Sequence, residues 1–231
     1  MNRKWIGLAG SIASVLILAA AAYALEADFD PSLYNPSVSE IVSFEVCESC
    51  LDGGGFRYTW DFDGDGAPEQ ETEDALVSHA FPSAGYYEVV LTVRSTTSGW
   101  TSTRRKGILV GSQPAYAVRE LLAQSDGSIL VLVAVTASAD CSAVGFQEMM
   151  PQGWQMEVVD AGGATTRMNA LEKKLEVVWL MQLSAGDQLT FSYRLYPGYS
   201  STLRALSGQL SGYTEDGRFV GQISGELGMS Q

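Results

Sequence analysis

The sequence predicts an all-β protein built from two sandwich modules behind an N-terminal export or anchor segment. Three observations carry this expectation. After residue 25 the chain reads as short apolar-alternating runs broken by Gly, Ser, Asn and Asp, without long helical periodicity. Two runs alternate cleanly: Tyr86 to Arg94, with Tyr87, Val89, Leu91 and Val93 on one face, and Gln188 to Leu195, with Leu189, Phe191, Tyr193 and Leu195 on one face. The first residues carry Arg3 and Lys4 followed by an uncharged apolar run from Trp5 to Leu25.

That opening run ends in Ala22-Tyr23-Ala24, an A-x-A-like step, so residues 1–24 have the parts of a secretory signal. The run is also long enough to span a bilayer, which leaves cleavage after Ala24 and retention as a membrane anchor as the two alternatives. In both, the positive flank stays inside and everything beyond residue 25 is extracytoplasmic.

At 231 residues, 46% hydrophobic and 18% charged, the chain can bury substantial cores and has room for one large or two ordinary domains. Without Arg3 and Lys4, 12 basic residues face 27 acidic ones, a net charge of −15. Such a surface disfavours nucleic acid and anionic lipid; a divalent cation, a basic surface or simple solubility accounts for it. Membrane contact is then confined to the N-terminal segment if it is uncleaved.

The strand Gly107 to Val110 runs into Gly111-Ser112-Gln113-Pro114, after which alternation restarts, so the boundary falls there. Residues 25–111 form the first module and residues 114–231 the second. The first holds 15 acidic and 5 basic residues, and residues 112–231 hold 12 and 7, so the acidic excess lies mainly in the first. In the second, Ser128 to Thr136 is apolar on both faces and reads as a central or covered strand.

Three cysteines remain. Cys47 and Cys50 sit between the apolar stretch Ile41 to Val46 and the glycine run at 53–55, a strand entering a turn, and can close a short disulfide loop in an oxidising compartment. A redox C-x-x-C pair wants a helix N-terminus to depress a thiol pKa, and none is evident. Cys141 is left over.

The acidic run Asp61, Asp63, Asp65, Gly66 and Glu69 places hard oxygen ligands at alternate positions around a turn glycine, as a calcium loop does. The pattern then departs: Thr72 stands where a bidentate glutamate is needed. Calcium binding and a purely structural turn, in which the aspartates hydrogen-bond the backbone, both remain open.

Residues 58–66, Tyr-Thr-Trp-Asp-Phe-Asp-Gly-Asp-Gly, followed by His79-Ala80-Phe81 and then Gly85-Tyr86-Tyr87-Glu88-Val89, resemble a polycystic kidney disease (PKD) domain over about 85 residues. The resemblance implies an immunoglobulin-like β-sandwich with Trp60 in the core and His79 as a fixed structural group. Phe81 stands where that family usually has tyrosine. In the second module, Pro151-Gln152-Gly153-Trp154 and Ala185-Gly186-Asp187 before an alternating strand are similar to β-sandwich repeat modules of bacterial and archaeal surface proteins, with Ala185 in place of the family proline. The expected fold is therefore two immunoglobulin-like β-sandwiches.

Function follows by elimination. The single histidine is assigned to a structural step, which removes most Ser-His and Cys-His arrangements, and no glycine-rich loop leads from strand to helix to cradle a phosphate. Paired carboxylates of a glycosidase are not ruled out, although the acidic groups crowd one turn rather than flank a cleft. The expectation is a non-enzymatic exported protein of the cell envelope or extracellular space, acting in adhesion, scaffolding or protein–protein interaction, with an extracellular protein or polysaccharide as partner. The alternative is a carbohydrate-binding accessory module of a polysaccharide-degrading system. Exposed aromatics would make such contacts; Trp100, Tyr196 and Tyr199, beside turns, are the candidates. Trp154, Trp179 and Tyr193 read as core.

Overall fold

The computed structural model describes residues 26–51, 53–169, 171–198, 203 and 205–228. The export segment with its step at Ala24 and the candidate Tyr199 lie outside the described residues. Among the described residues, no helix is long and apolar enough to cross a membrane.

The protein is all-β. In chain order the strands are β1 (Phe29–Pro31), β2 (Ile41–Val46), β3 (Phe56–Asp61), β4 (Gln70–Thr72), β5 (Leu76–Ala80), β6 (Gly85–Ser95), β7 (Thr101–Val110) and β8 (Ala115–Ala123). They continue as β9 (Ile129–Ala137), β10 (Cys141–Met149), β11 (Trp154–Asp160), β12 (Thr165–Asn169), β13 (Lys174–Leu183), β14 (Gln188–Pro197), β15 (Gly208–Thr214) and β16 (Gly217–Glu226). A 3-10 turn, Glu48–Cys50, follows β2.

In the first half a three-stranded sheet, β1-β2-β5, belongs with a second layer in which β3 pairs with β4 and β6, and β6 with β7. Alternation dictates what fills the gap: Val89, Leu91 and Val93 of β6 are fully buried, as are Val42 and Phe44 of β2 and Trp60 of β3. Trp60 meets Phe29 edge-on at 5.1 Å and stacks on Phe62 at 5.8 Å, the large aromatic filling expected of such a sandwich.

In the second half β11-β14-β9-β8 forms one layer and β16-β15-β10-β13-β12 the other. Strand β9 lies between β8 and β14, so the doubly apolar run Ser128 to Thr136 is central, with Val131, Val133 and Val135 pointing to the core. Trp179, Tyr193, Phe191 and Phe146 fill it, and Trp179 donates through Nε1 to the carbonyl of Gly162 at 3.0 Å.

Buried apolar residues fall into two clusters that divide between Val110 and Ala115. Backbone pairing does not divide there. Strand β16 pairs with β15 through Gln222, runs parallel to β8 at Ile223, Ser224 and Gly225, and ends antiparallel to β7 at Gly225 and Glu226. The last strand thus passes from the second half into the seam against the first. Gly225 makes this possible: its φ is +87°, and a Cβ there would stand 2.2 Å from the carbonyl oxygen of Arg119. Ser224 also crosses the seam, donating its hydroxyl to the Tyr34 carbonyl at 3.3 Å, while Asn35 holds the end of β7 within the first half through the carbonyls of Leu109 (2.5 Å) and Gly111 (3.0 Å).

Candidate functional site

The acidic turn follows directly from β3. Asp61 ends the strand and is buried, while Asp63, Asp65 and Glu69 are exposed. One carboxylate oxygen from each of the four can be chosen so that all lie within 4.8 Å of one another. Most of this acidity already has structural work. Asp61 accepts the backbone N–H of Gly64 through Oδ1 (2.6 Å) and of Gly66 through Oδ2 (2.9 Å). Asp63 accepts from Asp65 (3.1 Å), Asp65 from Ala67 (2.7 Å), and Glu69 reaches back through Oε2 to the N–H of Phe62 (2.7 Å). These local bonds build the turn. A hard cation such as calcium prefers this donor type.

His79 is placed beside that turn. Its ring stacks on Phe62 at 4.1 Å and meets Phe81 edge-on at 4.8 Å. Burial lowers the imidazole pKa below its ordinary value, against a smaller upward pull from Glu69 and Asp63. The ring thus serves as aromatic filling between turn and sheet.

Cys47 and Cys50 are bonded to each other, with Cα atoms 5.3 Å apart, across the 3-10 turn. Cys141 is free and buried at the start of β10, and burial raises its thiol pKa. Trp100 is half-buried and packs against the first core. Tyr196, also half-buried, donates its hydroxyl to Glu157 Oε2 at 3.2 Å. Trp100 and Tyr196 thus lie in different halves of the chain.

The densest chemistry lies at the seam, and sequence reasoning missed it. Glu226, at the end of β16, pairs with the Arg104 guanidinium and stands 3.8 Å from Lys106 Nζ, both on β7. Its other oxygen accepts the Leu121 N–H of β8 at 2.5 Å. Asp28 supports the same cations, 3.3 Å from Arg104 Nε and 3.1 Å from Lys106 Nζ. On β8, Arg119 donates to the Glu226 carbonyl at 3.0 Å and pairs with Glu148 of β10 at 2.9 Å, and Tyr193 of β14 donates to Glu148 at 3.0 Å. Arg104, Lys106, Arg119, Glu148 and Glu226 are all nearly solvent-free. Burial disfavours the Lys106 ammonium, but Tyr34, Asp28 and Glu226 around it more than offset that, and its pKa is held above the usual lysine value. Burial pushes the Glu148 carboxyl up, against the opposing pull of Arg119 and Tyr193. The one available signal was parity: Arg119 falls in the inward series Ala115, Ala117, Leu121, and Glu148 in the inward series Val144, Phe146.

Comparison with known proteins adds the following. A family model for the PKD domain matches residues 35–110. No curated protein sequence matches the chain. Among solved structures the chain is similar to a chitinase from Bacillus thuringiensis, at 8% identity and a TM-score of 0.39 over 88% of this chain and 27% of that one. It is also similar to the major pilin SpaD of Corynebacterium diphtheriae (11% identity, TM-score 0.40, 74% of this chain and 57% of that one). A third is the collagen adhesin of Staphylococcus aureus, at 8% identity and a TM-score of 0.31 over 89% and 95%. The chain therefore spans about a quarter of the chitinase and little more than half of the pilin.

Proposed function

We propose that this chain, whose residues 35–110 match the PKD domain, is a non-enzymatic, extracytoplasmic binding protein of the cell envelope or extracellular space, acting in adhesion or as a scaffold. One observation carries this reading. The histidine, the free thiol and the buried carboxylates are committed to structure: His79 stacks on Phe62 and meets Phe81 edge-on, Cys141 is buried, Glu148 pairs with Arg119 inside the second half, and Glu226 joins the halves through Arg104 and Lys106. The two-module division at 25–111 and 114–231 belongs to the same proposal, supported by the two apolar clusters. Strand β16 joins the modules so that surfaces on both keep a fixed relation.

The partner class is an extracellular protein or polysaccharide. Immobilised panels of both, probed with the purified chain, test the reading: saturable binding without turnover of the bound partner is expected, and release of product from any partner refutes it. A second reading, a carbohydrate-binding accessory module, is favoured by a cleft at the module seam that carries Tyr86, Glu88 and Gln222 opposite Leu206, Ile223 and Leu227. In that case polysaccharide binding is saturable, and Trp100→Ala or Tyr196→Ala weakens it if those aromatics form the contact.

The acidic turn is proposed to take a weakly held calcium ion through Asp61, Asp63, Asp65 and Glu69, with Asp61 also shaping the turn. The support is the clustering of their oxygens within 4.8 Å. A rise in melting temperature on adding calcium is the test.

A further inference from the structure

A cleft of about 160 Å³ opens where the two halves meet. It is lined from the first half by Tyr86 and Glu88 of β6, and from the second by Arg119 of β8 and Gln222 of β16. Leu206, Ile223 and Leu227 give it an apolar side.

The polar groups are arranged to meet a ligand carrying both donors and acceptors. Arg119 is 1% exposed, and its Nε–H has no hydrogen-bond partner among the described residues, although its two terminal nitrogens are engaged by Glu226 and Glu148. A buried donor of this kind is costly unless something satisfies it. Glu88 gives Oε1 to Arg105 at 2.6 Å and keeps Oε2 as an acceptor. Tyr86 lies across Gly107: its hydroxyl stands 2.1 Å from where a Cβ would be, so glycine at 107 is what gives the ring its place. Gln222 is exposed and supplies an amide that both donates and accepts.

Charge narrows the ligand. Arg119 is already neutralised by Glu148, and Glu88 faces the same space, so an anion would meet a carboxylate and a spent guanidinium. Glu88 is itself already paired with Arg105 at 2.6 Å, so a cation meets no uncompensated carboxylate there. A neutral polyol ring pairs with the free acceptor of Glu88 and the amide of Gln222, and lays its C–H face on Leu206, Ile223 and Leu227. The volume admits one such ring rather than a drug-sized ligand. From this we infer that the seam cleft binds a single neutral pyranose unit of a polysaccharide, with Glu88 and Gln222 as its hydrogen-bonding groups and Arg119 as part of its wall. The inference rests on the carbohydrate-binding reading and names its site.

The test titrates the purified full chain with glucose, galactose, mannose, xylose and N-acetylglucosamine, and with glucuronate as the charged counterpart, followed by saturation-transfer NMR and calorimetry. At least one neutral sugar binds saturably in the millimolar range and outcompetes glucuronate. Glu88→Gln and Gln222→Ala each weaken that sugar roughly three- to tenfold, as loss of one hydrogen bond at a partly open site does, while the melting temperature stays within a few degrees of wild type. Absence of binding by every sugar, or binding untouched by both variants, overturns the site. If a polysaccharide on the panel is held but responds to Trp100→Ala or Tyr196→Ala and not to Glu88→Gln, the cleft assignment fails while carbohydrate binding stands. If no polysaccharide is held, both fail.

Discussion

Replacing Glu226 by alanine removes the anion at the centre of the seam. In the folded chain its side chain is 6% exposed, pairs with Arg104, lies near Lys106 and accepts the N–H of Leu121. Breaking a buried pair by deleting one partner costs about 3–5 kcal/mol, because a buried charge is left uncompensated. Here Asp28 still stands 3.3 Å from Arg104 and 3.1 Å from Lys106, which brings the electrostatic cost toward the lower end. The orphaned Leu121 N–H adds to it, since an unsatisfied buried donor costs roughly 1–3 kcal/mol. The two terms share one side chain and do not simply add, so the loss is about 3–5 kcal/mol, or on the order of 10 °C in melting temperature for a chain of this size. Calorimetry is the assay. The wild type melts in one transition; the variant melts earlier, and its first- and second-half transitions separate because the shared strand no longer holds. Glu226→Gln keeps an acceptor for Leu121 but loses the charge, and falls between the two. As a control, Glu71→Ala, which removes a half-exposed partner of Arg57, costs less than about 1 kcal/mol. A Glu226→Ala protein that melts within 2 °C of wild type, in a single transition, refutes the reasoning.

Three further outcomes are expected. Gly225→Ala forces a left-handed φ on a residue whose Cβ would strike the Arg119 carbonyl, and costs at least about 2 kcal/mol, whereas Gly217→Ala, with φ +123° and open space around it, costs about 1 kcal/mol; chemical denaturation ranks them, and equal costs contradict the close approach. Calcium at about five times a millimolar Kd stabilises by roughly 1 kcal/mol and raises the melting temperature by about 2–4 °C, an effect lost in Asp63→Asn with Asp65→Asn; no rise at any millimolar concentration removes the calcium site. Folding shields His79, so the folded imidazole binds its proton less tightly than the unfolded chain does. Its contribution is therefore fully present above the ordinary value of 6.5 and is lost as the pH falls through the folded pKa below that value. Melting curves of wild type and His79→Gln converge as the pH drops from 7.5 to 5, by less than about 1 kcal/mol because the ring is partly solvated; curves that stay parallel contradict the shift.

The sandwich fold was legible because strand periodicity survives wherever one face meets a core. In β6 and β14 the inward residues are apolar at every second position, and the structure buries Val89, Leu91, Val93, Phe191, Tyr193 and Leu195 accordingly. Turn chemistry was legible for a similar reason, since Asp187 closes its turn by accepting the Ser184 N–H, as the Ala185-Gly186-Asp187 signal implies. The acidic turn could be located but its role could not, because identical aspartates serve backbone N–H groups and cations alike. The seam was illegible for a different reason. Arg104, Lys106, Arg119, Glu148 and Glu226 are scattered over four strands and more than 120 residues of chain. Only Arg119 and Glu148 carry a local signal, their place in an inward apolar series, and the crossing of β16 between β7 and β8 is what joins them to Arg104, Lys106 and Glu226. The boundary at residues 111–114 marks where the apolar clusters divide, but a local break in pattern carries no information about a strand returning from the far end of the chain.

Native-state hydrogen exchange at Ile223, Ser224 and Gly225 tests most directly whether the last strand welds the two halves. The account predicts that the backbone amides hydrogen-bonded across this segment exchange only through global unfolding, with the same protection as Val131 and Leu91 in the two cores. Exchange through a low-energy local opening, with both cores still fully protected, would mean that β16 merely rests in the seam and that the halves are independent modules.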